Sequence, residues 1–177
     1  KLAPLAGIRV LDVSSVLSGP LASMLLADLG ADVIKVEPPS APDFTRGTGD
    51  AHNAMTAYFY NTNRGKRAIA VDGRRPAGQR ILQALADRAD VVVQNMRPGK
   101  AAGIGLDPNE CLLRNQSLIY ASISGYGSDG PSASEPVYDY VIQAVTGMVD
   151  VQRDPTTGLT ELTRHFVADK VTSHATF

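Results

Sequence analysis

Short apolar runs rich in branched residues alternate with helix-length segments along most of the chain, and this alternation limits the fold more than any other feature. GIRVLDVSS, bounded by Gly7 and Ser14, reads as a buried strand. In SGPLASMLLADLGA, Ser18 suits the cap, Pro20 the first turn and Gly30 the stop of a short helix. ADVIKVE is a second strand, ended by Pro38 and Pro39. Strand, helix and strand within about thirty residues make a βαβ unit with parallel strands and a right-handed crossover. RAIAVD, DVVVQNM and SLIYASIS supply three more strands. Between them, RPAGQRILQALADRA is helical, with Ile81, Leu82, Leu85 and Ala89 on one face. DPNECLLRN opens with Asp107 as cap, Pro108 in the first turn and Glu110 at the capping-box position. The result is an α/β fold, an open and mostly parallel sheet with helices on its faces.

Two segments break the rhythm. The long stretch from Glu37 to Lys66 is mixed in character, and GYGSDGPSASEP is loop chemistry throughout. Beyond them, VYDYVIQAVTGMV reads as one helix, QRDPTTGLTELTR as a turn-rich link, and VADKVTSHATF as the start of another helix. That helix has no stop signal before Phe177, so the chain reads as part of a longer protein.

Composition narrows the function classes. At 177 residues, 44% apolar and 20% charged, the chain can bury a single-domain core. A net charge of -1 gives no global field for nucleic acid or an anionic membrane. No apolar run approaches the ~18 residues of a membrane span, and the N-terminal stretch has no signal-peptide core. Cys111 is the only cysteine, which excludes an intrachain disulfide and suits the cytoplasm.

Ligands of such sheets bind beyond the carboxyl ends of the strands. Those ends carry Arg74 and Arg75, Arg97 with Lys100, and the glycines around Tyr126; Arg64, Lys66 and Arg67 precede the third strand. A phosphorylated ligand would suit them. A nicotinamide site does not: Glu37 ends the second strand, but SSVLSGP has one glycine where G-x-G-x-x-G is required, so Glu37 reads as structural. His52, His165, His174 and Cys111 lack metal-ligand spacing, and no G-x-S-x-G elbow is present. Asp169, at the start of the last helix, reads either as an N-cap or as a carboxylate nucleophile kept ionised by the helix dipole.

Taken in order, PLAGIRVLDVSSVLSGPLASMLLADLGADVIKVEPP, NRGKRAIAVD, DVVVQNMRPG, YASISGYGSDGP, YDYVIQAVTGM and VADKVTSHATF resemble the class III coenzyme A transferases. That family includes formyl-CoA transferase, carnitine CoA-transferase and α-methylacyl-CoA racemase. The resemblance covers nearly the whole chain. It implies a Rossmann-like large domain with helices on both faces of its sheet, and two chains threaded as interlocked rings in a homodimer. It also implies that residues 1–177 are the N-terminal part of that CoA-binding domain, ending before a small domain with a glycine-rich loop and before a C-terminal return.

By position, Asp169 matches the family aspartate that forms acyl anhydrides. Val16, Leu17 and Ser18 match the loop after the first strand, and Val71 and Arg74 match positions beside the nucleotide. Asn95, Met96 and Arg97 match the N-[FM]-R-P-G stretch, and Ser124, Gly125 and Tyr126 the loop after the fifth strand. EPPSAPD carries no Arg or Lys where many members place one to stack on adenine. The racemase histidine falls at Tyr138, just before Asp139, and a tyrosine with a reference pKa of about 10 does not replace it near neutral pH. The expectation is therefore a transferase that moves CoA from an acyl-CoA to a carboxylic acid, without metal or prosthetic group. The alternatives are a racemase or isomerase pairing Asp169 with another base such as His165, or a non-catalytic acyl-CoA-binding relative.

Overall fold

The structure, a computed structural model, describes residues 3–53 and 55–177. In chain order it contains β1 (Arg9–Asp12), α1 (Ser18–Asp28), β2 (Asp32–Glu37), a 3-10 turn at Phe44–Gly47, β3 (Ala51–His52), β4 (Met55–Thr56), α2 (Ala57–Asn63) and β5 (Arg67–Ala70). There follow α3 (Pro76–Ala86), β6 (Val91–Gln94), a 3-10 turn at Ala102–Ile104, α4 (Pro108–Arg114), β7 (Ile119–Ser122), α5 (Asp139–Val145), α6 (Met148–Val151) and α7 (Val167–Thr176).

The five runs read as strands form one parallel sheet in the order β5-β2-β1-β6-β7. The chain builds outward from β1 in one direction, then crosses back to lay β6 on its other side. The switch point lies between β1 and β6, and their carboxyl ends open the crevice where such sheets bind ligands. The long stretch after β2 holds the 3-10 turn, an antiparallel β3–β4 pair and α2.

Both faces of the three central strands, β1, β2 and β6, are buried, which explains why they are near-continuous apolar runs, while the edge strands β5 and β7 are largely exposed. Leu11, Val36 and Val92 pack with Leu82 and Ala86 of α3 and Cys111 of α4. On the other face, Val10, Val33 and Val93 pack with Leu26 and Ala27 of α1. Ile81 departs from the face expected for α3 and is 46% exposed. The last helix, α7, lies against α1 rather than the sheet, and the Ser173 hydroxyl donates to the Ser18 carbonyl at 2.8 Å.

Several expectations about local signals are corrected. Ser18 does not cap α1: Leu17 is the N-cap and contributes no side-chain bond. The segment read as one helix from Val137 is two, because Gly147 turns the chain at φ +76 between α5 and α6. Asp107 caps α4 as expected, accepting from the Asn109 and Glu110 N–H groups at 2.9 and 3.1 Å.

Lys66 is no surface cation. Its ammonium is buried against Asp12 at 2.8 Å, and Lys35 is buried against Asp43 at 3.2 Å. Burial brings Lys66 down to about 8 against the pull of Asp12. Burial also opposes ionisation of Asp12, but Lys66 and Lys35 outweigh it and bring that carboxyl down to about 2.

Candidate active site

A cavity of about 400 Å³ opens over the carboxyl ends of β1, β6 and β7. Its lining brings together eight of the expected residues: Val16 and Ser18; Asn95, Met96 and Arg97; Ser124 and Gly125; and Asp169. Four others lie elsewhere. Leu17 and Val71 turn their side chains into buried surroundings, at 5% and 6% exposure, so any ligand contact there falls to the backbone. Arg74 is exposed and engaged by Asp72 at 2.9 Å and the Ser40 hydroxyl at 3.2 Å. Tyr126 is not in the lining.

The loop after β1 is held from a distance. Asn95 clamps the Ser15 peptide on both sides, accepting its N–H at 2.9 Å and donating to its carbonyl at 2.7 Å. Val16 then takes φ +72, a left-handed conformation that a β-branched residue rarely adopts and that costs about 1–3 kcal/mol. Its N–H donates to Asp43 Oδ2 at 3.1 Å. Asp43 is fixed by Lys35 and by the hydroxyl and N–H of Thr45, at 2.7 and 3.1 Å. Thus the buried charge pairs beneath the sheet ends shape the cavity wall.

Gly125 is required by contact: a Cβ there would lie 2.0 Å from Val137 Cγ2. Gly125→Ala is expected to push apart the two ends of the connection between β7 and α5 where they meet at the cavity, lowering stability by about 1–3 kcal/mol in a thermal melt.

The basic residues sort sharply. Arg64 pairs with Asp28, Arg67 with Asp32, and Arg74 and Arg75 with Asp72. Glu37, read as structural, accepts from Arg46 at 2.6 and 3.0 Å. Arg97 lines the cavity and, among the described residues, forms no salt bridge.

Asp169 is not the cap of α7. Phe166 occupies that position without a side-chain bond, and Asp169 sits in the first turn, partly buried. Nor does the dipole make ionisation easy. Burial, then the charge of Asp139, push the carboxyl above its ordinary range, while the Ser18 hydroxyl and N–H pull it back. The carboxylate therefore looks across the cavity at the N-terminus of α1.

A family model described as CoA-transferase family III matches residues 5–177. The chain belongs to CoA-transferase family III. It is 43% identical over 159 residues to a succinate–glutarate CoA-transferase of Agrobacterium fabrum, covering 86% of this chain and 40% of that protein. Identity to a formyl-CoA:oxalate CoA-transferase of Afipia carboxidovorans is also 43%, over 81% of this chain and 34% of the relative. A solved CAIB/BAIF family protein from Brucella suis superposes with a TM-score of 0.92 at 36% identity, covering 99% of this chain and 47% of that one. The chain thus spans less than half the length of these family III relatives.

Around the family III cavity, three residues escaped sequence reasoning. Asp139 is 5% exposed, and its Oδ2 accepts the Asp169 N–H at 2.8 Å. Gln143 is fully buried and donates to Asp139 Oδ1 at 2.6 Å. Tyr58 on α2 is pushed up to about 12 by burial and by the charges of Asp169, Asp43 and Asp139. Only the i, i+4 spacing of Asp139 and Gln143 hinted at a pair. The side chain of His165 is exposed and outside the lining, whereas Tyr138 reaches the rim at 70% exposure. Among the described residues no three His, Cys, Asp or Glu side chains are grouped as metal ligands, and no helix is long and apolar enough to cross a membrane.

Proposed function

We propose that the protein moves coenzyme A from an acyl-CoA donor to a small carboxylic acid, with Asp169 as nucleophile. The observation that carries this reading is the placement of one partly buried carboxylate in the strand-end cavity of a family III fold. An Asp169 oxygen attacks the thioester carbonyl carbon; the C–S bond breaks and the CoA thiolate leaves, so an acyl–aspartyl anhydride forms. The acceptor carboxylate then replaces the donor acid on the Asp169 acyl group, and the donor departs as its carboxylate. The thiolate attacks the acyl carbon of the new anhydride, which releases the product thioester and restores Asp169. No step needs a metal, a redox change or a net proton, and one difficult exchange becomes a series of acyl transfers.

CoA would lie along the loops after β1, β6 and β7, with Val16, Ser18, Asn95, Met96, Ser124 and Gly125 as its wall. The names of the relatives, with succinate, glutarate and oxalate among them, support small carboxylic acids as acceptors. On this reading, residues 1–177 are the N-terminal part of a larger CoA-binding domain, which works as an interlocked homodimer in the cytoplasm. The buried, unpaired Cys111 supports that compartment.

The test is isotope exchange. With an acyl-CoA and a labelled free acid, the protein from its complete coding sequence should place label in the thioester pool. Deuterium uptake at the α-carbon without such exchange would instead make it a racemase, and binding without either would leave a non-catalytic role.

Arg97 is the cation in the cavity lining and the candidate for phosphate. Arg97→Ala is expected to weaken CoA binding by about 1.5–3 kcal/mol while leaving a short pantetheine thioester nearly unaffected. Equal losses in a titration of both ligands would move Arg97 away from the phosphates.

A further inference from the structure

α7 begins without the side-chain cap that such helices usually have. Phe166 offers no acceptor, and no cap hydrogen bond forms on its own side chain. The acceptor comes from another helix. Asp139 Oδ2 receives the N–H of Asp169 itself, at 2.8 Å. The other oxygen of Asp139 is held by Gln143 Nε2 at 2.6 Å. Gln143 in turn receives the Thr163 N–H at 2.9 Å and donates to the His165 carbonyl at 3.1 Å. One buried Asp–Gln pair on α5 thus grips both the approach to α7 and the peptide of Asp169. A neutral acceptor would have served for capping alone, yet the residue placed there is a second carboxylate, buried beside the first.

We propose that Asp139 is a positioning residue for Asp169: its carboxylate anchors the first turn of α7 and sets a fixed negative charge against the nucleophile. This rests on Asp169 being acylated. A carboxylate that faces a like charge holds its proton more tightly and, once ionised, attacks a thioester carbonyl more readily, because nucleophilicity rises with basicity. The upward shift of the Asp169 carboxyl is in the direction this arrangement requires. The other groups around Asp169 leave Asp139 as the strongest charge on it. Tyr58 of α2 is neutral in the working range, α1 presents only the Ser18 hydroxyl and N–H, and Lys170 and His174 of α7 are exposed. Glu135 and Arg97, of opposite sign, share the cavity wall.

The test compares D139N and D139E with the wild type in the protein from its complete coding sequence. The measurement is the pH dependence of kcat/KM and kcat for CoA transfer. In D139N the acid limb should move to lower pH and the plateau kcat should fall about tenfold, with KM for the donor within about twofold. D139E keeps the charge and should keep the acid limb. A purely structural role would lower activity without moving the limb, so a folded D139N with a wild-type acid limb overturns the proposal. A second measurement covers the case in which D139N does not fold. In wild-type protein labelled with carbon-13 at its aspartate carboxyls, the Asp169 resonance, identified by its loss in D169N, should titrate above the ordinary carboxyl range. A curve within the ordinary range overturns the proposal as well. Retained transfer in D169N would sink the nucleophile reading beneath it. A dead D169N together with an unmoved limb in D139N removes only the positioning role.

Discussion

Asp169→Asn is expected to leave the fold intact and to lower CoA transfer by on the order of 10⁴-fold or more, because an amide cannot form the anhydride. Melting temperature and turnover should part company. The carboxyl of Asp169 is raised in the folded protein by burial and by Asp139. Its charged form therefore opposes folding at neutral pH, and a neutral side chain relieves that opposition. The variant should melt at or above the wild-type temperature while losing turnover. Hydroxylamine added with an acyl-CoA donor should trap a hydroxamate at Asp169 in the wild type, detectable by peptide mass, and leave the variant unmodified. A folded variant with near-normal transfer would remove Asp169 from the chemistry.

The other large effect concerns stability. Lys66→Ala should destabilise the protein by about 3–5 kcal/mol in urea denaturation, since it strands the fully buried carboxylate of Asp12. Lys66 donates to Asp12 at 2.8 Å, to the Pro20 carbonyl at 2.9 Å and to Asn63 Oδ1 at 2.8 Å, so three elements lose a common partner. The pH dependence has a definite sign. Asp12 is depressed to about 2 in the folded state, so its contribution is present above the unfolded carboxyl range and is lost as pH falls towards 2. Without Lys66 the depression weakens, and acid unfolding should begin at higher pH. A midpoint within about 0.5 kcal/mol of wild type, the usual range for an exposed side chain, would place Lys66 back on the surface.

The strands were legible because each is a short apolar run between turn residues, and burial on both faces of the three central ones demands such runs. Helix ends were less so. Asp107 caps α4 as its spacing suggested, but the spacing around Ser18 and Asp169 suggested caps that tertiary contacts replaced. At α7 a backbone N–H is taken by Asp139, and at α1 Ser18 faces Asp169, groups distant in sequence that no local rule anticipates. The strand-end location of the cavity followed from the parallel sheet; its individual residues came from family resemblance, and most of them do line it. Leu17 and Val71 show the limit of transfer by position: a residue next to a ligand in sequence register can still point its side chain into the core. Lys66 and Asp12 are 54 positions apart, and Lys35 pairs with Asp43 only because the chain folds back after β2. Asp139 carries no signature beyond its i, i+4 spacing from Gln143, since its other partner is the backbone of another helix.

The left-handed Val16 also bears on how this cavity can be re-engineered. Its conformation depends on Asp43 and its neighbour on Asn95, residues that lie 27 and 80 positions from their partners in the loop. The stretch from Ser14 to Ser18 is consequently not a portable cassette. A loop transplanted from a relative would arrive without the clamp and the buried carboxylate that shape it, and would relax to another path. Residues in three separate parts of the chain must travel as one unit when substrate preference is redesigned, and substitutions among them should be strongly epistatic.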